Sequence, residues 1–269
     1  MTTDLRYEYC PPSQGSRLDH VGTYKRRVPV SLERMYENAL DWEHLPHLHA
    51  SSFSNLNVIK SGGWGWRAQV TNHRGQPSLL ELSLDRSCRR WITRNLDGPS
   101  VGAEIWTHVF EVEPRQLDLV IDFFVPGVPC EAREKVGRAY AAAYELLYDE
   151  DVWMMTERQR ALDQRLDSTQ SSTLAIAKPD EVELPTQISL SGRDYYLNKH
   201  QHEWVVYPTL CPHQLGPLNG GIDEHGVIYC PWHGYGFDVK TGACTTGSKC
   251  RFGKTPAVTD MGDKLELTL

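Results

Sequence analysis

Two short loops near the C-terminal end of the chain each pair a cysteine with a histidine. The first loop is Cys211-Pro-His213, and the second, after sixteen intervening residues, is Cys230-Pro-Trp-His233. Thiolates and imidazoles are ligands for zinc and for iron–sulfur centres, so two such loops that meet would present four metal ligands. A Cys2His2 zinc site is one interpretation. Zinc knuckles, however, usually pair two cysteines across a two-residue gap and keep the histidines together, so the spacing here disfavours zinc.

A second group of candidate metal ligands lies in the segment from Asn38 to His49. Asp41 and His44 are three positions apart, so a helix would place them on one face. Pro46 would break that helix and let His49 turn back toward the same point. A solvated or core-packed histidine-rich turn is the alternative interpretation. A non-haem Fe(II) site of the facial type would need a carboxylate from elsewhere in the chain.

Three consecutive acids further along the chain could supply that carboxylate. Asp149, Glu150 and Asp151 lie within a segment of helical periodicity. At about 100° per residue, Asp151 falls inside the apolar stripe, Glu150 at its edge and Asp149 outside it. A carboxylate in an apolar stripe is costly unless it is paired or bound to a metal, so Asp151 is the predicted ligand.

The elements that must position these residues form an α+β arrangement. Residues 31–36 predict a helix start, and a 3.6-residue period over residues 131–166 predicts one long helix that packs across a sheet. Between them, six β-rich runs separated by turn residues predict an antiparallel sheet. The runs are residues 55–60, 64–71, 79–84, 90–95, 104–112 and 117–125.

A polar segment with two prolines, residues 167–185, predicts a linker between two domains. Residues 1–166 would form the first domain, which carries the candidate iron ligands. Residues 186–269 have β-like runs and glycine turns, which predicts an all-β second domain that carries the Cys–His loops.

Composition excludes several function classes. With 28 Lys and Arg against 35 Asp and Glu, and no basic run, the chain has no electrostatic footprint for nucleic acid or an anionic membrane. No apolar stretch approaches the roughly 20 residues that span a bilayer, and the polar start lacks an export signal, which predicts a cytoplasmic protein. No glycine-rich dinucleotide fingerprint follows a strand, so any reducing equivalents would come from a separate protein.

Residues 183–269 resemble the Rieske [2Fe–2S] domain. The resemblance rests on Cys-Pro-His-Gln-Leu-Gly-Pro-Leu in the first loop, Cys-Pro-Trp-His-Gly-Tyr-Gly-Phe-Asp in the second and the Thr-Gly-Ala-Cys that follows. It implies that Cys211 and Cys230 hold one iron and that His213 and His233 hold the other.

One departure indicates the branch of this family. The respiratory type of high potential adds a disulfide between the two loops, whereas this chain has Gly216 and Tyr235 nearby. The departure points to the oxygenase and ferredoxin branch.

The first domain is similar to the catalytic domain of Rieske non-haem iron oxygenases, which has a helix-grip fold. The pattern Asn-x-x-Asp-x-x-His-x-x-x-x-His is matched by Asn38, Asp41, His44 and His49, and a distal Glu-Asp with a later Gln by Glu150, Asp151 and Gln159. The resemblance implies that His44, His49 and Asp151 hold Fe(II). It also implies that Asp41 links a cluster histidine to an iron histidine, with His47 outside the ligand set. The domain order is reversed, because the catalytic domain comes first and the Rieske domain is C-terminal.

The resemblance implies an oxygenase that uses O₂ to hydroxylate or oxidatively demethylate a small organic substrate. Electrons would come from a separate NAD(P)H-dependent reductase or ferredoxin, and the chain would form a homotrimer in which one subunit's cluster serves its neighbour's iron. The alternative is a non-catalytic Rieske electron carrier fused to a ligand-binding domain. Aromatic candidates for the substrate pocket, or for plain core, are Trp64, Trp66, Trp106, Phe110 and Phe123.

Overall fold

The chain consists of two compact units, Met1–Thr156 and Glu157–Leu269. The computed structural model describes residues 19–164, 173–177, 183–247 and 249–269. The first unit is an antiparallel sheet with a long helix and the second is built mainly from strands. The predicted fold class, α+β with a helix-grip domain followed by an all-β domain, is therefore confirmed.

A seven-stranded antiparallel sheet forms the first unit. Its strands are β1 (His20–Val28), β2 (Phe53–Gly62), β3 (Gly65–Asn72), β4 (Pro77–Asp85), β5 (Arg90–Asp97), β6 (Glu104–Glu113) and β7 (Gln116–Phe124). The order is β1-β7-β6-β5-β4-β3-β2, so each of the six predicted runs is a strand and β1 joins the sheet beside β7. Alternate residues of β7 are buried, from Leu117 to Phe123, which gives the sheet its core face.

Within residues 19–164, three helices accompany this sheet: α1 (Leu32–Leu40), α2 (Leu45–Leu48) and α3 (Cys130–Gln164). Ser31 caps α1, because its hydroxyl accepts a hydrogen bond from the backbone N–H of Arg34 at 3.3 Å. The prediction that Asp41 and His44 share one helical face is wrong. Asp41 is the C-cap of α1 and His44 the N-cap of α2, so a helix end separates them.

Pro46 also acts differently from the prediction. It lies in the first turn of the short helix α2, where its missing N–H has no helical partner to lose, so it helps to begin a helix rather than to break one. His49 is the C-cap of α2. The two histidines therefore lie at opposite ends of one short turn.

The described residues of the second unit form three small sheets. They are β11 (Glu203–Pro208), β10 (Arg193–His200) and β9 (Thr186–Leu190); β12 (Val227–Tyr229) and β13 (Gly236–Asp238); and β14 (Ala257–Asp260), β15 (Lys264–Thr268) and β8 (Thr173–Ala177). The end of α3 belongs to this unit, where the Arg158 guanidinium donates to the Gln214 carbonyl at 3.1 Å.

The predicted linker, residues 167–185, lies largely outside the described residues. Its described part includes β8, which pairs with β15, so these five residues belong to a sheet. Among the described helices, none is long and apolar enough to cross a membrane. The cytoplasmic location remains a prediction.

Candidate metal centres

His44, His49 and Asp151 lie together in the first unit, and all three are buried. One donor atom from each residue lies within 4.8 Å of the donor atoms of the other two. Nε2 of His49 is 3.1 Å and Nε2 of His44 is 3.4 Å from the same Oδ1 of Asp151. The α1–α2 segment thus supplies two imidazoles and α3 supplies one carboxylate to a single point.

The donor set fits Fe(II), for which two histidines and one carboxylate form a common facial site. Burial would raise the pKa of Asp151, but hydrogen bonds from His44 and His49 hold it well below its usual range. Burial would lower the pKa of His44, but the nearby carboxylates of Asp151 and Asp41 raise it to about 9. The buried carboxylate therefore requires a positive charge beside it, which a proton or a divalent cation can supply.

Two side chains orient this group from outside. Nδ1 of His49 lies 2.6 Å from Oε2 of Glu150, and Nδ2 of Asn38 donates to Oδ1 of Asp151 at 2.8 Å. The contact of Glu150 with His49 was missed from the sequence. The position of Glu150 at the edge of the apolar stripe was the available signal, since an edge residue can reach a neighbouring buried group.

The remaining polar residues of the segment have other positions. Oδ2 of Asp41 is 3.7 Å from Nδ1 of His44, which is an ion-pair contact longer than a hydrogen bond. Asp149 has a side chain that is 60% exposed and forms an ion pair with Arg26 at 2.6 Å. His47 is exposed. Gln159 lies beyond the division between the two units and donates to Asp163 at 2.9 Å.

A cavity of about 110 Å³ adjoins the His44–His49–Asp151 group. Of the predicted aromatic candidates, Trp66 lines this cavity and Phe110 does not. Trp64 is 37% exposed, and Phe123 lies in the main core. Trp106 packs in a small separate cluster with Ile92 and Phe124. The aromatic lining residues that sequence reasoning missed are Phe53, Trp91, Tyr144 and Tyr148. Burial raises the pKa of both tyrosines, so their hydroxyls are neutral.

The two Cys–His loops of the second unit share one backbone conformation. The N–H of Cys211 donates to the carbonyl five residues later at 2.8 Å, and the N–H of Cys230 does the same at 2.9 Å. In each loop the fourth residue after the cysteine donates back to the cysteine carbonyl and has a positive φ, 67° at Leu215 and 64° at Gly234. Two equivalent turns therefore present two equivalent ligand pairs.

Side chains of the same type lie side by side across these loops. The rings of His213 and His233 have centroids 4.6 Å apart, and the ring of Tyr235 is 4.8 Å from that of His213. Cys211 and Cys230 are both buried, and the hydrogen bond between their thiols lowers the pKa of Cys230 and raises that of Cys211. Two sulfurs together and two nitrogens together fit a cluster with one iron on each pair.

The same geometry argues against a single zinc ion. In the described part of the chain, the one group of three or more candidate ligands that converges within 4.8 Å is the His44–His49–Asp151 group. The four Cys–His donors do not converge in this way, whereas zinc bonds of about 2.0–2.3 Å require it.

Comparison with known proteins identifies the second unit. Residues 172–255 match the family described as "Rieske [2Fe-2S] domain", which confirms the Rieske domain expected from the two loops. Pheophorbide a oxygenase, chloroplastic, from Arabidopsis thaliana is 36% identical over 83 residues, or 27% of this chain and 15% of the relative. The same enzyme from Oryza sativa subsp. japonica is 45% identical over 65 residues, or 23% of this chain and 12% of the relative.

The matched segments cover 15% and 12% of the length of these two relatives, so the chain spans only a small part of either one. Among solved structures, the Zhui aromatase/cyclase from Streptomyces sp. R1128 has a TM-score of 0.43 and 13% identity. The superposition covers 54% of this chain and 98% of the aromatase/cyclase chain. This likeness is too weak to support any statement about function.

Proposed function

We propose that this Rieske-domain protein is a non-haem iron oxygenase that uses O₂ and externally supplied electrons to hydroxylate or oxidatively demethylate a small organic substrate. The observation that carries the proposal is the buried group His44, His49 and Asp151, whose donor atoms lie within 4.8 Å of one another. A carrier that only transfers electrons has no need of such a group. The Rieske domain in the same chain supplies the complementary redox centre.

The residues of the first unit have distinct proposed roles. Fe(II) held by His44, His49 and Asp151 would supply the activation of O₂, which side chains alone do not provide. Asn38 donates to Oδ1 of Asp151 at 2.8 Å and so orients this carboxylate toward the two histidines. Glu150 fixes the ring of His49 by accepting the Nδ1 proton, so that Nε2, which faces Asp151, is the nitrogen that would bind a metal.

Electron supply depends on the second unit and on other proteins. A [2Fe–2S] cluster held by Cys211, Cys230, His213 and His233 would supply one-electron transfer. A separate NAD(P)H-dependent reductase or ferredoxin would provide the electrons. We also propose a homotrimer in which Asp41 connects the histidines of the two centres across a subunit contact, and its 3.7 Å approach to His44 supports this role.

The substrate is proposed from the lining of the cavity. Its walls are mainly apolar and aromatic, with Trp66, Trp91 and Tyr144 among them, which favours a small substrate with an apolar or aromatic body. Incubation with candidate substrates, a surrogate reductase and ¹⁸O₂, followed by mass spectrometry, would identify oxygen insertion or methyl loss.

Metal analysis of the purified protein tests the proposal. An oxygenase should hold about three irons per chain, two in the cluster and one in the first unit, whereas an electron carrier should hold about two. His44→Ala should reduce the count by one, and His47→Ala, an exposed histidine three positions away, should not. A wild-type count of two with an intact cluster would instead support the non-catalytic Rieske carrier.

A further inference from the structure

Three cations of the second unit lie close together and form no ion pair with the described residues. Lys240 of this unit pairs with Glu203, and Arg160 pairs with Glu157 at 2.5 Å. Arg193, Arg251 and Lys254, in contrast, have no carboxylate within ion-pair distance among the described residues. The net charge of the chain is −7, so three cations that lie together without a carboxylate partner among the described residues are a local departure from its general character.

These three cations, termed here the basic patch, are contiguous. Arg193 and Lys254 line one cavity of about 460 Å³, and Arg251 and Lys254 line another of about 390 Å³. Asp194 also lines the first cavity, where its carboxylate accepts a hydrogen bond from the Ser189 hydroxyl. Three cations and one carboxylate leave this surface positive.

The basic patch borders both cluster loops. Pro212, which separates the proposed ligands Cys211 and His213, lines the same cavity as Arg193 and Lys254. On the side of the second loop, the backbone of Arg251 bridges Ala243, and its guanidinium donates to the Thr241 carbonyl at 3.3 Å. A protein bound here would therefore lie directly against the segments that hold the cluster.

We propose that the basic patch is the docking surface for an acidic one-electron carrier protein that reduces the cluster. The inference rests on the proposed function only in requiring an external electron donor. In the step, the reduced carrier loses one electron and the oxidised [2Fe–2S] cluster gains it, with no bond made or broken. Opposite charges accelerate such an encounter by steering the partners and holding the productive orientation.

Stopped-flow reduction of the full chain tests this surface. The probe is a reduced plant-type [2Fe–2S] ferredoxin of acidic surface, and the readout is the visible absorption of the Rieske cluster at low ionic strength under anaerobic conditions. Lys254→Glu and Arg193→Glu should each lower the second-order rate constant about tenfold. Lys264→Glu, an exposed lysine of β15 in the same unit with the same change in net charge, should alter it less than twofold.

Ionic strength and dithionite provide the controls. The wild-type rate should fall with added NaCl, and the difference between wild type and Lys254→Glu should vanish at high salt. Dithionite should reduce the cluster equally in wild type and in every variant. Absence of a reducible cluster from the wild-type protein would refute the proposed function, and this result is distinct from a loss of docking in a variant that keeps its cluster. Equal losses in Lys254→Glu and Lys264→Glu, or a wild-type rate insensitive to salt, would overturn the docking surface.

Discussion

The contact between Glu150 and His49 gives the sharpest test of the proposed iron site. Nδ1 of His49 and Oε2 of Glu150 are 2.6 Å apart, the distance of a charge-assisted hydrogen bond. A carboxylate in this position fixes the imidazole tautomer and increases the basicity of the other ring nitrogen, which binds the metal. Glu150→Gln should therefore weaken metal binding without removing any ligand.

The size of the effect follows from the surroundings of Glu150. Loss of an outer carboxylate partner typically costs 10- to 100-fold in metal affinity, or about 1.4–2.8 kcal/mol. The Glu150 side chain is 27% exposed, so water screens part of its charge and the lower end of this range applies, about tenfold. Glu150→Ala should weaken binding further, because glutamine keeps an oxygen acceptor and alanine does not.

Asp149 offers a matched control on the same helix. Asp149→Asn removes the same charge one residue away, but this side chain is 60% exposed and pairs with Arg26 rather than with a ligand histidine. Co(II) affinity, measured anaerobically by competition with a fluorescent chelator after selective removal of the mononuclear metal, should change less than twofold in this variant. Equal affinities for wild type and Glu150→Gln, or equal losses in Glu150→Gln and Asp149→Asn, would refute the reasoning.

Three further predictions concern pH and close backbone contacts. Because the pKa of His44 is raised to about 9 and a metal must displace its proton, Co(II) affinity should rise about tenfold per pH unit from pH 6 to 8; a flat profile would contradict this. Gly216→Ala should lower the visible [2Fe–2S] absorption per chain, since a Cβ there would lie 2.7 Å from Sγ of Cys230, whereas Gly221→Ala, in open space, should leave it unchanged. Gly137→Ala should lower both the melting temperature and Co(II) affinity, because its Cβ would lie 2.2 Å from a β1 carbonyl oxygen; unchanged values would show that the helix can shift freely.

The sheet was predictable wherever local sequence carries a strand signal, and β1 shows where that signal ends. Its centre contains Lys25, Arg26 and Arg27, which do not resemble a β-rich run. In the structure Arg27 lies opposite Asp118 of β7 and pairs with it at 2.7 Å. This partner is about ninety residues away in sequence, so tertiary pairing rather than local propensity selects the strand.

The cavity lining shows a second limit, which is strand register. Trp106 pairs with Asp122 of β7, and Ile105 pairs with Phe123, so these two pairs point to opposite faces of the sheet. The sequence already indicates that Asp122 faces away from the core. Only the pairing reveals that Trp106 shares its face, which places this tryptophan away from the cavity.

The candidate ligands were predictable as residue types, but their supporting geometry was not. The type and order of His44 and His49 could be read from the sequence, whereas the helix end between Asp41 and His44 could not. The backbone N–H of Asp41 closes α1 by donating to the carbonyls of Glu37 and Asn38, and α2 starts only afterwards. A three-residue spacing is thus compatible with one continuous helix or with two helices joined by a turn.

The different positions of Asp149, Glu150 and Asp151 depend on the rotation of α3 about its axis. Successive residues differ by about 100°, so one acid points to solvent, one reaches a ligand histidine and one enters the pocket. Gly137 on α3 contacts Gly22 of β1, where a Cβ on either glycine would approach backbone atoms to 3.0 Å or less. Side chains at this crossing would push the helix outward, so the two glycines hold α3 close to the sheet at a fixed register. The proposed metal site therefore depends on a backbone contact fourteen residues away from its carboxylate as well as on the acids themselves.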